Sequence, residues 1–209
     1  TLKNPITAES FAALSKKQDG STKIHLIDMI PRQIINHHML EEMQVKNGKI
    51  QVNIEKDILK LAVVERYGKN GNVGVGFVRG FELKKGALAY SMSHDHHNIV
   101  VVGTNDEDMA LAVNEVARLN GGLSVTCGGK ILNSMELPIG GLMSEKPAEE
   151  VMAQLDILNA DAKALGCGMD APFMSLSFIS LPTVPDLGLT DLGLVDVLEH
   201  KLIPLEAEE

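Results

Sequence analysis

The stretch "ILKLAVVERYGKNGNVGVGFVRGF", Ile58 to Phe81, decides how this chain is to be read. It opens on an aliphatic run, breaks at "GKNGN", and resumes with glycines at alternate positions, Gly74 and Gly76. Short apolar runs punctuated by Gly and Asn predict paired antiparallel strands. Glycines inside a strand mark a close approach by other backbone. The tempting alternative is a dinucleotide fingerprint, but "GVGFVRG" has the spacing GxGxxxG and no helix pattern follows it, so that reading fails.

Outward from this pair the pattern continues. "GALAYSMS" and "NIVVVGT" downstream read as strands, as do "LSVTCGGKI", "NSMELPI" and "FMSLSFISLP". Upstream, "IHLIDMI" is strand-like and stops at Pro31, and "QIINHHMLEEMQVKNGKIQVNI" reads as two strands joined at Asn47-Gly48, a hairpin dipeptide. Two helices stand out. The first is expected to begin with a capping box, Thr104 and Glu107, and to bury Met109, Ala112, Val113, Val116 and Leu119 before Asn120-Gly121-Gly122 ends it. The second opens near Ser144 or Lys146 with Pro147 in its first turn. It is expected to bury Val151, Leu155, Leu158, Ala162 and Leu165 and to stop at Gly166. The tail "TVPDLGLTDLGLVDV" reads as a surface loop, with Asp186, Asp191 and Asp196 capping turns. The expected fold class is therefore α+β, a mainly antiparallel sheet or sheets covered by two long amphipathic helices. Residues 1–23 are expected to be a flexible N-terminal segment and 24–209 the domain, with 24–57 a candidate small β subregion.

The totals narrow the function. The chain has 209 residues, a net charge of -9 and a sequence pI near 5.3. So acidic a surface lacks the electrostatic footprint of phosphate binding, and 3% aromatic content with no Trp removes stacking platforms, so nucleic acid is excluded as a partner. Cys127 and Cys167 have no CxxC spacing and are read as reduced thiols of a cytoplasmic protein. No stretch approaches the ~18 apolar residues of a membrane span. The chain begins with Thr, which suggests a fragment, a processed product or a trimmed form.

The polar stretch "HDHHN", His94 to Asn98, is the main candidate for chemistry. In an extended chain His94 and His96 share one face and Asp95 and His97 the other. Three readings compete. His94, Asp95 and His96 are candidate metal ligands, with His25, His37 and His38 as possible additions, although zinc needs three or four ligands. Asp95 and His97 are a candidate acid–base pair. The third reading is a polar connection between strands. "CGGKI" does not complete a phosphate loop, since Ser124 and Ile131 occupy two of its key positions. Arg79 is expected to form a surface salt bridge.

Four segments carry a resemblance. They are "LKLAVVERYGKNGNVGVGFVRGFELKKGALAYSMSHDHHNIVVVGTNDEDMALAVN" (59–114), "LPIGGLMSEKP" (137–147), "DAPFMSLSFISLPTVPDLGLTDLGLVDV" (170–197) and "IDMIPRQII" (27–35). Together, over about Ile24 to Pro204, they resemble the C-terminal region of the bacterial and archaeal adenine deaminases of the amidohydrolase superfamily. The resemblance implies a parent reaction in which adenine and water give hypoxanthine and ammonia. It implies a barrel carrying a manganese or iron pair, in a part of the protein that precedes the matched region; such a barrel takes ~250 residues by itself. This chain has no place for that barrel or its ligands, so no cofactor is expected here and the isolated chain is expected to be inactive. The family usually shows H-D-S-H-N, which makes His96 the variable member and leaves Asp95, His97 and Asn98 as the candidates facing substrate. The expected partners are the missing barrel and further copies in a homo-oligomer, with no nucleic acid and no membrane. A stand-alone purine-binding or scaffold module is the alternative.

Overall fold

A computed structural model describes residues 2–184 and 186–208; Thr1, Pro185 and Glu209, and with Pro185 one position of the expected tail loop, lie outside the described residues. The strands are β1 (Gly20–Met29), β2 (Asn36–Lys46), β3 (Lys49–Ile50), β4 (Ile58–Val64), β5 (Val73–Arg79), β6 (Ala87–Tyr90), β7 (Ile99–Gly103), β8 (Gly122–Cys127), β9 (Lys130–Glu136), β10 (Leu187–Thr190), β11 (Gly193–Asp196) and β12 (Lys201–Ile203). The helices are α1 (Asp106–Arg118), α2 (Ala148–Ala164) and α3 (Pro172–Ile179). Nine strands form one sheet in the order β3-β2-β1-β5-β4-β7-β6-β8-β9, and β10-β11-β12 form a second. β1 and β5 pair in parallel; the other pairs of the large sheet are antiparallel.

β4 lies near the middle and is buried along its whole length. Its alternation splits the interior in two. Leu59, Leu61 and Val63 join one core with Leu88, Val100, Val125 and the residues of α3 and the small sheet. Ala62 and Val64 join another with Ala89, Val101 and the buried face of α1. Phe11, from a 3-10 turn at Ala8–Phe11, is fully buried in that second core. Glu206 accepts from the Ser15 hydroxyl and the Lys16 amide, tying the two ends of the chain together beside β1.

The expected two long helices covering a sheet are overturned. The domain is a mixed α+β unit dominated by the nine-stranded sheet, with three helices of 13, 17 and 8 residues. α1 buries Met109, Ala112, Val113 and Val116 as expected, while Leu119 is its half-buried C-cap; Asn120 and Gly121 end it at positive φ, but its N-cap is Asn105, whose side chain accepts from the Asp108 amide at 2.8 Å. The Thr104 hydroxyl donates to the Gly86 carbonyl instead. α2 buries only Leu158 and Ala162 of its own residues, because its apolar side chains are spread around the helix and Met152 and Ile157 face outward. The central strands on that side of the large sheet are covered instead by two elements the sequence disguised. "PFMSLSFI" is α3, not a strand: Pro172 sets its first turn, and a helix apolar on nearly every side gives no 3.6-residue period to read. The tail is the β10–β12 sheet rather than a surface loop, with Leu187, Leu189 and Leu194 buried. The hairpin at Asn47-Gly48 forms as expected, both residues at positive φ between Lys46 and Lys49.

The alternate glycines of β5 make the second sheet possible. A Cβ on Gly74 would stand 1.9 Å from the Thr190 carbonyl oxygen, whereas one on Gly76 would meet the flexible Leu194 side chain at 3.3 Å. The hairpin β10–β11 thus lies backbone to backbone on β5 at Gly74. Gly74→Ala should therefore lower unfolding stability by about 1–3 kcal/mol through overpacking, with Gly76→Ala costing much less. Urea midpoints that fall equally for both would contradict this ordering.

Candidate functional site

Four connections meet at one end of the large sheet. The strand register places there the β4–β5 loop (65–72), the β6–β7 loop (91–98) and the segment after β9 (137–147). The β10–β11 turn, Asp191-Leu192, reaches the same end over Gly74. "HDHHN" is the heart of the β6–β7 loop. It is a turn rather than an extended run, and His97 lies at φ 52. The alternation expected of a strand is therefore broken. His94 and His97 turn their rings toward each other, with centroids 6.5 Å apart, while His96 folds back into the protein.

Each position has a distinct environment. The Asp95 side chain is 87% exposed, with one carboxylate oxygen 3.7 Å from His94 Nδ1. The His94 ring rests 4.5 Å from that of Phe178 on α3, and its amide donates to the Ser177 carbonyl. His96 Nδ1 accepts from the Asn98 amide at 3.1 Å, and burial pushes the ring's pKa down, with the Ser180 backbone acting in the opposite direction. His96 is thereby held as a neutral acceptor that closes the turn. Asn98 is buried; its side-chain amide donates to Asp191 at 3.2 Å and its oxygen accepts from the Arg66 amide at 3.4 Å. His96 Nε2 and His97 Nδ1 are buried with no hydrogen-bond partner among the described residues.

The loop is braced from three sides. Arg66 donates through Nε to the His97 carbonyl and through Nη2 to the Gly140 carbonyl. The Tyr67 hydroxyl donates to the carbonyls of His96 and His97. The Ser91 hydroxyl donates to the Gly141 carbonyl at 2.6 Å, and Gly141 lies so close to the Arg66 guanidinium that a Cβ there would stand 2.6 Å away. Around this polar centre the same connections expose Tyr67, Ile139, Met143 and Leu192. The sequence singled out the loop but missed its braces. Arg66 and Tyr67 stood in a plain strand-to-turn passage, and Asp191 read as a turn cap, with no spacing to tie any of them to Asn98.

The other expected residues fall elsewhere. His25 and His38 lie side by side on β1 and β2, Nδ1 to Nε2 at 2.6 Å, and His37 faces Asp186 at 3.8 Å. Arg79 forms a half-buried two-pronged pair with Asp28 and reaches Glu41. Cys127 and Cys167 are free, and burial raises the Cys167 thiol to about 11. Among the described residues no group of three His, Cys, Asp or Glu is placed to hold an ion, so these residues do not fit a metal pair. No helix among the described residues is long and apolar enough to cross a membrane.

Glu65 holds the first brace. Its carboxylate accepts from the amides of Tyr67, Lys69, Asn70 and Gly71. Burial opposes ionisation, yet the four amides together keep its pKa below the usual 4.5. Glu65→Gln should cost about 1.5 kcal/mol at neutral pH, the worth of a charged acceptor over a neutral one. Because the folded pKa is depressed, this contribution is complete above the ordinary glutamate value and lost as pH falls through the folded one. Denaturation of parent and variant across pH checks it: the stability gap closes on acidification, and a pH-independent gap would assign the loss to packing.

The structure is thus a mixed α+β domain with a braced polar loop at one end of its large sheet and exposed apolar side chains on the same connections. The comparisons place it. The chain belongs to the family described as "Adenine deaminase C-terminal domain", which matches residues 33–201. It is 60% identical to the adenine deaminase of Desulforamulus reducens over 210 residues, covering 100% of this chain and 35% of that protein. It is 48% identical to that of Dehalococcoides mccartyi, over 88% of this chain and 32% of the relative, and 41% identical to that of Moorella thermoacetica, over 98% and 34%. The chain therefore spans about a third of the length of the curated relatives it matches.

Proposed function

We propose that this chain is the C-terminal part of an adenine deaminase and that its His94–Asn98 loop faces the active site held by the rest of the protein. The observation that carries the reading is the loop itself. It is fixed by Arg66, Tyr67 and Asp191, presents Asp95 and His97 outward or unpaired, and is ringed by Tyr67, Ile139, Met143 and Leu192. Rigid support for exposed polar groups is the arrangement a positioned contact requires.

On this reading the division of labour is clear. A divalent metal pair in the remainder of the protein would supply the activated water. This chain's residues orient substrate and exclude solvent: Asp95 offers an acceptor to an amino or ring N–H, and His97, backed by His94, offers an imidazole at the same edge. Asn98 and His96 hold the turn and touch no substrate. The same resemblance carries the proposal to a cytoplasmic, homo-oligomeric enzyme of purine metabolism.

In the full-length protein, Asp95→Ala should reduce kcat/KM for adenine about tenfold or more, ~1.4 kcal/mol of transition-state binding, with unfolding stability unchanged because the side chain is exposed. Steady-state kinetics beside a melt measure both, and an unchanged kcat/KM removes the substrate-facing role. The present chain alone should not release ammonia from adenine, with or without added manganese; turnover by it would overturn the division of labour.

A further inference from the structure

Beside α3 lies an open cleft of about 600 Å³, lined by Ile30, Pro31, Ile34, Met169, Met174 and Phe178 among others. Its floor and one wall are apolar. Of its three charged lining residues, Arg32 and Asp170 pair with each other at 3.4 Å in open solvent, and Glu82 is the third. The apolar lining includes Ile34, which is half-exposed in the segment just before β2. Phe178 lines the cleft and supports the His94 ring, so the cleft and the loop are one continuous face.

We infer that this cleft is the seat of an apolar segment from the remainder of the polypeptide, forming with the His94–Asn98 loop a single docking face. The inference rests on the reading of the chain as one domain of a longer adenine deaminase. Two observations choose this occupant. The relatives are about three times as long as the chain, and the matched family is their C-terminal domain, so some two thirds of such a polypeptide is available to supply the occupant. The cleft is also continuous with the loop proposed to face that body. Contiguous exposed apolar surface of this kind marks an interface, and apolar side chains set in a preformed cleft are its usual anchors. Docking there also couples the two halves of the face: a segment pressing on Met174 and Phe178 fixes α3, and α3 fixes His94 through Phe178 and the Ser177 carbonyl.

Two methionines provide the test. Met174, in the cleft wall, and Met152, on the outer side of α2, are similarly exposed in this chain, 61% and 65%. Hydroxyl-radical footprinting of the full-length protein, read by mass spectrometry, compares their oxidation rates at several protein concentrations. Met174 should oxidise at least tenfold more slowly than Met152, at every dilution. Equal rates would overturn the proposal, and so would protection of Met174 that disappears on dilution, since the cover would then be a second copy. The outcome is independent of the Asp95→Ala kinetics: a protected Met174 with an unaffected variant keeps the docking face while removing the loop's role toward substrate.

Discussion

The rest of the structure depends on the approach of one backbone to another at Gly74. Two hydrogens there admit the Thr190 carbonyl where any side chain would collide. That contact seats the β10–β11 hairpin on β5, and the hairpin does two things at once. Its leucines close the core on one face of the large sheet, and its turn carries Asp191 to the side-chain amide of Asn98. A glycine with no chemistry of its own thus sets the position of a loop that presents two ionisable side chains. The cost of glycine in a strand, lost packing and greater entropy in the unfolded chain, is offset here by the burial it permits.

The loop shows how a polar turn is kept in one shape. Among its three histidines the roles divide by environment. His96 is half-buried, its pKa pushed down by that burial, and its Nδ1 accepts from the Asn98 amide. His94 is half-exposed and rests on an aromatic ring. His97 takes a left-handed backbone that its carbonyl's bonds to Arg66 and Tyr67 maintain. The His96 acceptor that reaches the Asn98 amide closes the turn within the loop itself. A cluster of all three rings would need His96 to join the other two, and the turn folds it back into the protein, away from the facing rings of His94 and His97.

How much of this was legible in the sequence varied with the physical signal. Strands bounded by Gly and Asn, the Asn47-Gly48 hairpin and the buried stripe of α1 were readable because period and turn chemistry agreed. The α3 helix was not, since Ser175 and Ser177 between apolar residues imitate strand alternation and its open side, with Met174 and Phe178, is itself largely apolar. The tail was misread because Pro and Gly suggest a loop, although Leu187, Leu189 and Leu194 alternate as a half-buried hairpin does. In the site, the segment His94–Asn98 was visible as an unusual cluster, but its braces come from 25 to 100 residues away in sequence, and hydrogen bonds at such separations leave no local pattern. The fold class failed at the same points: with α3 and the small sheet unseen, two long helices were asked to cover a face that they do not cover.

On the proposed reading, this domain holds a rigid polar edge against an active site contributed by the rest of the protein. A structure of the full-length protein with a purine bound tests it most directly. The account predicts Asp95 or His97 within ~3.2 Å of the purine, or one water away from it, with the Asn98–Asp191 contact unchanged. A purine bound far from the loop, with Asp95 still open to bulk solvent, would contradict it.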